Sequence, residues 1–185
     1  MIIRQLGISR VLLINLLHIY TWRRSLVYTV PDLLEVNAKS RIFRDKNKLL
    51  IIGKCIELEH PEILKQFIDD NYGVLGLCPE AVHVNMAGFK LIGILARGSF
   101  EEVSVLTVDG SMHCIQLHWM LEEVFKAMNL NGKIKRRHFI IYKGELKEVS
   151  ARDVKISRFM YKVNSLASKL NYEKAICAID EEVSS

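Results

Sequence analysis

A chain of 185 residues, half of them apolar and a quarter charged, is long enough to bury a core and too apolar to be disordered. Its four cysteines are widely spaced with no Cys-x-x-Cys pair, in a chain too long and too rich in core residues to need a disulfide scaffold. They are read as reduced thiols in a cytoplasmic protein, with disulfides as the alternative for a hyperthermophilic source. The net charge of +5 is segregated: residues 1–48 carry +6, residues 49–125 carry −7, residues 126–174 carry +9 and the last eleven carry −3.

The first element expected is a helix within residues 2–22, built on the apolar run Val11-Leu-Leu-Ile-Asn-Leu-Leu17 between Arg4, Arg10, Arg23 and Arg24. A membrane span needs about 20 apolar residues, and this run is interrupted by Asn15 and His18. It has the basic start and short apolar core of a signal peptide, but Trp22-Arg23-Arg24 follows where a small-x-small cleavage site belongs. It is expected to be a peripheral helix or extension, with contact to a membrane surface as the alternative. Residues 1–47 are therefore assigned to a basic extension and irregular linker, and residues 48–185 to a single α/β domain.

From residue 48 strands and helices alternate. Lys48-Leu-Leu-Ile-Ile-Gly53 is a short apolar run suited to a buried strand, with room to continue towards Leu58. Pro61 opens a helix with Ile63, Phe67 and Ile68 on its inner face, ending at Asp69-Asp-Asn71. Tyr72–Leu77 is the second strand, and Cys78-Pro79 opens a helix that closes at Arg97-Gly98. Val103–Val108 is the third strand. The third helix covers about Met112 to Met128, with the stripe Cys114, Leu117, Leu121, Val124 and Met128. After the Asn131-Gly132 turn come a strand at His138–Tyr142, a helix at Ala151–Leu170 and a short strand at Ala175–Ile179. The pattern predicts a three-layer α/β fold: a mostly parallel sheet of four or five strands with helices on both faces, flavodoxin-like or Rossmann-like.

In such a fold the C-terminal ends of the strands share one edge, where ligands bind. Cys55, Cys78 and Cys114 each follow a predicted strand, so they are expected at that edge. Cys78 with His83, and Cys114 with His118, supply two soft and two borderline ligands for zinc, with Cys55 as a further candidate. Three of the cysteines, completed by a histidine or Cys177, would alternatively suit an iron–sulfur cluster. A partly buried thiol without any ligand is the plainer reading. If Ser111 is the N-cap, Cys114 stands near the third helical position beside His113, where its thiol would be acidified. Asp109 and His113 would then form an acid/base pair, making Cys114, His113 and Asp109 the catalytic candidates. Neither G-x-x-x-x-G-K-[ST] nor G-x-G-x-x-G occurs, so no nucleotide is implied.

The basic region 126–174 offers another reading. Lys135, Arg136 and Arg137 precede the fourth strand, while Arg152, Lys155, Arg158 and Lys162 repeat along the last helix. The other side of that helix carries Ile156, Met160, Val163, Ala167 and Leu170, expected to face the core. A basic face of this kind suits nucleic-acid phosphates or an acidic protein partner. A solvated surface is the simpler reading.

The stretches Cys78-Pro-Glu-Ala-Val-His-Val-Asn-Met-Ala-Gly88 and Asp109-Gly-Ser-Met-His-Cys-Ile-Gln-Leu-His118 resemble those of small uncharacterised crenarchaeal α/β proteins, over residues 72–165. The resemblance implies the fold and no particular activity. Three glutamines in the whole chain agree with a heat-adapted source. The function expected is a cytoplasmic α/β protein with a Cys/His site for zinc or an iron–sulfur cluster in redox or accessory service. The alternative is a non-catalytic module that binds nucleic acid or protein through its basic face.

Overall fold

The computed structural model describes residues 29–43 and 45–169. The apolar runs form the strands β1 (Lys48–Gly53), β2 (Tyr72–Leu77), β3 (Glu102–Val108) and β4 (Lys135–Tyr142), and a fifth, β5 (Glu145–Val149), follows. The helices are α1 (Ile56–Glu59), α2 (Pro61–Asp69), α3 (Val84–Leu95), α4 (Ile115–Ala127), α5 (Ala151–Ser157) and α6 (Met160–Lys169). The sheet order is β2-β1-β3-β4-β5, parallel except for β5, which pairs antiparallel with β4.

β2 is buried along its whole length, β1 from its second residue onward and β3 up to its last, as a parallel sheet covered on both faces requires. Alternate residues of β1 divide between two cores. Leu49 and Ile51 pack with Leu91 of α3 and with Leu117, Leu121 and Phe125 of α4. Leu50 and Ile52 pack with Ile63, Leu64 and Phe67 of α2 and with Phe139 of β4. Each such side chain contributes roughly 1.5–3 kcal/mol by leaving water. The segment before β1 is irregular, as expected, but packed: Asp32 bridges to Gly76 of β2, and Leu33 and Phe43 join the first core. Glu57 of α1 secures it by accepting from the Val30 amide at 3.1 Å.

Several expected boundaries move. Residues 78–83 form turns in which the Ala81 and Val82 amides return to the Cys78 carbonyl, so α3 begins at Val84. In α2, Leu64 takes the buried position expected of Ile68, which is 49% exposed. The last helix breaks at Arg158-Phe159, and its second half, α6, buries no residue at all. Lys135, Arg136 and Arg137 lie within β4 rather than in a loop before it. The hairpin to β5 turns on Lys143 and Gly144, both with positive φ (50° and 76°), the geometry of a two-residue I′ turn. The expected helix in residues 2–22, the strand at Ala175–Ile179 and Cys177 fall outside the described residues. Among the described residues no helix is long and apolar enough to cross a membrane.

Candidate functional site

The chain leaves β1 towards β2 on one side and returns past it to β3 on the other, so the connections diverge between β1 and β3. That divergence opens a crevice at the C-terminal ends of these two strands, the place where doubly wound sheets bind ligands. Cys55 lies just beyond β1 as the N-cap residue of α1, and Cys114 is the N-cap residue of α4 beyond β3. The Cys55 thiol donates a hydrogen bond to the Cys114 sulfur. Gly53 places no side chain between strand and sulfurs: a Cβ there would stand 3.5 Å from Cys114 Sγ and 3.9 Å from Cys55 Sγ.

The two sulfurs are driven apart in acidity. The hydrogen bond from Cys55 is the main cause that brings Cys114 down to about 6, against its own burial. The Ser111 side chain, a backbone bond from Val108 and the charge of His113 add to it. Cys55 is pushed strongly up, first because its thiol hydrogen is committed to Cys114, then by burial and by the carboxylate of Glu59. At neutral pH the pair is therefore one thiolate and one thiol, the state that thiol chemistry uses. The helix start expected at Met112 does not hold: Cys114 precedes α4 by one residue, its amide donating to Ser111 Oγ at 3.3 Å. The acidity of Cys114 thus comes chiefly from its sulfur neighbour, and less from the helix terminus.

A pocket of about 340 Å³ opens on the other side of the Asp109-Gly-Ser-Met112 loop, walled by Ile115 of α4, Ile140 of β4 and Val154 of α5. Thr107 and His118, both buried, line it and begin a polar chain into the interior. Thr107 Oγ1 lies 2.8 Å from His118 Nε2, His118 Nδ1 lies 3.1 Å from His138 Nδ1, and His138 Nε2 lies 2.8 Å from Glu122 Oε1. A carboxylate only accepts, so His138 Nε2 carries the hydrogen facing Glu122. With both rings neutral, His118 Nδ1–H then donates to His138 Nδ1, and the Thr107 hydroxyl donates to His118 Nε2. Burial first, and the neighbouring His138 second, hold His118 down to about 3. Arg136 Nε stands 2.8 Å from the same Glu122 oxygen but off the line of its N–H, so it contributes charge rather than a hydrogen bond.

The expected metal ligands are thus distributed among separate tasks. Both nitrogens of His118 are engaged, Cys114 faces Cys55, and His83 is the residue that precedes α3, with Cys78 opening the turn before it. Among the described residues no three His, Cys, Asp or Glu side chains gather as a metal ion requires. The carboxylate beside His113 is that of Glu80, at 3.9 Å, while Asp109 lines the pocket. Of the basic residues, Lys135 pairs with Glu102, Arg136 with Glu122, Arg137 with Glu148 and Arg158 with Glu123. Arg152, Lys155 and Lys162 stand exposed on α5 and α6. His138, Glu122 and Thr107 were not singled out from sequence, because a histidine, a glutamate and a threonine so far apart carry no spacing signal. The register of β3 and β4 brings Thr107 and His138 together, and Glu122 joins them from α4, one turn after His118.

A parallel sheet wound both ways from a central strand, with its reactive groups at the point of divergence, defines the chain as a Rossmann-type α/β protein. Residues 41–181 match the family model described as a Rossmann-like domain, and the chain belongs to that family. No curated protein and no solved structure matches it.

Proposed function

We propose that this Rossmann-like protein is a thiol-redox protein whose working pair is Cys55 and Cys114. The observation that carries the reading is the closeness of the two sulfurs, 3.5 and 3.9 Å from the same Cβ position on Gly53, together with a Cys114 thiol brought down to about 6 by its sulfur neighbour. Cys114 is only 8% exposed, so the oxidant it meets is small: a hydroperoxide rather than a protein disulfide. The Cys114 thiolate attacks the distal peroxide oxygen and the O–O bond breaks. The leaving alkoxide takes a proton and departs as an alcohol, and Cys114 becomes a sulfenic acid. Cys55, deprotonated, then attacks the Cys114 sulfur and expels hydroxide, which leaves as water. In sum, two thiols and a hydroperoxide give one disulfide, an alcohol and water, and a dithiol reductant restores the pair by thiol–disulfide exchange. Asp109 and the His118 chain take no part in these steps, and His113 acts only through the charge that helps to lower Cys114. Three described cysteines are free, as suits a reducing cytoplasm. The resemblance to crenarchaeal proteins and the scarcity of glutamine support a heat-adapted source.

The test follows alkylation and oxidation in the purified full chain. Cys114 should alkylate with a midpoint near pH 6, and Cys55→Ala should move that midpoint upward. Hydrogen peroxide should produce a Cys55–Cys114 disulfide that peptide mapping identifies. In Cys55→Ala the sulfenic acid on Cys114 should persist and react with a dione probe. Peroxide treatment that leaves both thiols free, or a Cys114 midpoint that Cys55→Ala does not move, overturns the reading.

A further inference from the structure

The pocket of about 340 Å³ beside the Asp109–Met112 loop has the size of a small-molecule site, and the thiol chemistry makes no use of it. Its walls are apolar, with Ile115 from α4, Ile140 from β4 and Val154 from α5. Six polar side chains interrupt them: Thr107, Asp109, Ser111, His118, Asp153 and Ser157. What these can recognise depends on where their hydrogens point.

Each hydroxyl hydrogen among them is already committed. The Glu122 carboxylate fixes the direction of the buried chain, so the Thr107 hydroxyl donates inward to His118 Nε2 at 2.8 Å. Thr107 is 1% exposed, and its oxygen keeps acceptor capacity only. His118 has its Nε2 lone pair and its Nδ1–H engaged in the same chain. Ser157 Oγ donates to the Val154 carbonyl at 2.8 Å. The Ser111 hydroxyl donates to the Cys114 sulfur, the direction in which a hydroxyl acidifies a thiol. The side chains of the pocket therefore present acceptors and negative charge.

The charge is centred on Asp109. Its amide donates to the Ile141 carbonyl at 3.0 Å and extends the β3 ladder, so two residues beyond Thr107 it stands on the same face of the sheet. Asp153 adds less, because Ser150 holds its Oδ2 and Arg152 acts on it by charge. No Lys or Arg lines the pocket among the described residues. Backbone amides in a turn such as Gly110–Met112 attract anions, and the Asp109 carboxylate on the same turn opposes one.

We propose that this pocket binds a small organic amine in its ammonium form, with the apolar body against Ile115, Ile140 and Val154 and the cation held by Thr107 Oγ1 and Asp109. An ammonium is all donor, the complement of side chains that only accept. A carboxylate or phosphate on the same body meets no side-chain donor, and an alcohol donates once without the charge. The inference stands apart from the thiol-redox reading, since the Cys55–Cys114 pair lies across the loop.

The experiment is methyl NMR of the full chain with isotope-labelled isoleucine, titrated at neutral pH with phenethylamine, phenethyl alcohol and hydrocinnamate. Ile115→Val and Ile140→Val assign the two pocket signals by their loss. The amine should shift both signals saturably and leave Ile63, in the opposite core, unmoved. The alcohol should bind about fivefold or more weakly, as a neutral hydrogen bond is weaker than a charged one. The acid should give no shift. Asp109→Lys, at an exposed position, should keep the fold and weaken the amine by about fivefold or more. An acid that binds as tightly as the amine overturns the proposal, and so does an amine affinity that Asp109→Lys leaves unchanged. A full chain in which neither signal responds to the amine, whether or not the chain itself fills the pocket, rejects it as well.

Discussion

His118 Nδ1 and His138 Nδ1 lie 3.1 Å apart inside the protein, with one hydrogen between them. A further proton on His118, at Nε2, would bury a positive ring against His138 in a site where each residue is 3% exposed or less. Beside the pair stand the Glu122 carboxylate, 2.8 Å from His138 Nε2, and the Arg136 guanidinium paired with it, whose charges oppose one another, while Asp109 and Asp153 line the pocket that His118 borders. His118 is held down to about 3, whereas an unfolded chain titrates it near 6.5. Between those values the unfolded state binds the extra proton, so stability rises with pH there and falls on acidification.

Guanidinium unfolding should therefore show stability rising with pH up to about 9, because the lowered Cys114 thiol is ionised in the folded protein alone, and declining further below pH 6.5, where His118 adds a slope of up to about 1.4 kcal/mol per pH unit. In His118→Gln the decline between pH 6.5 and about 5 should flatten. The carboxylates held below their ordinary range, Glu57 and Glu102 among them, lose their contribution only below about 4.5 and do not mask the effect. An equal slope in both proteins would show that His118 is not the group responsible.

At the opposite edge of the sheet, Glu102 gathers a second polar cluster. The Tyr72 hydroxyl and Ser104 Oγ donate to Glu102 Oε1, the latter at 2.9 Å, while Lys135 lies 3.4 Å from its other oxygen. Burial pushes this carboxyl up, but the two hydrogen bonds and the charges of Arg137 and Lys135 outweigh it and hold the group below its usual range. Burial first, and Glu102 second, raise Tyr72 to about 12. Glu102→Gln should cost about 1–3 kcal/mol of stability, since the donors keep an acceptor but the cations lose their counter-charge. The Tyr72 phenolate, followed by absorbance against pH and identified with Tyr72→Phe, should titrate lower in that variant yet stay above 10. An unmoved titration would refute the coupling.

What the sequence made legible was whatever depends on apolar runs. Leu49–Ile52, Val74–Leu77 and Val103–Val108 are nearly continuous because both faces of a parallel strand are covered. Helix starts were less legible, since the turns at Cys78–His83 and Ser111–Cys114 share the composition of a first helical turn. β5, an edge strand with mostly polar residues, lacks any apolar run, and its one signal was the Lys143-Gly144 turn. The site was half legible. Cys55 and Cys114 follow strands and were expected at one edge, but their pairing depends on β1 and β3 being neighbours, which sequence order conceals. The same register decides that His118 meets His138 instead of Cys114.

Close packing near the end of α3 gives a sharp test of the first core. A Cβ on Gly98 would stand 2.3 Å from Phe100 Cε2 and 2.8 Å from its Cζ, far inside contact distance. Phe100 is 7% exposed and packs edge-on against Phe43 at 6.0 Å, so its ring has little freedom to retreat. Gly98→Ala should destabilise by about 1–3 kcal/mol through displacement of that ring. Adding Phe100→Leu removes the clashing atoms, so the double variant should lose less than the two single losses summed. Additive losses in thermal or denaturant unfolding would remove this explanation.

The wall of the pocket depends on a local device in α5. Ser150 Oγ accepts from the Asp153 amide at 3.2 Å, and Asp153 Oδ2 accepts from the Ser150 amide at 3.1 Å, a reciprocal capping box. With seven residues α5 gains little from length, so the box matters to whether it forms. Ser150→Ala should cost about 1 kcal/mol and speed hydrogen exchange across α5. Trp119, which donates to Ser157 at the end of that helix, should report the loosening as a shift in fluorescence in a Trp22→Phe background. The Cys114 alkylation midpoint should stay where it is, because Cys55, Ser111 and the backbone at Val108 set it without help from α5. A midpoint that moves with Ser150→Ala would mean that the pocket wall and the thiol pair are coupled.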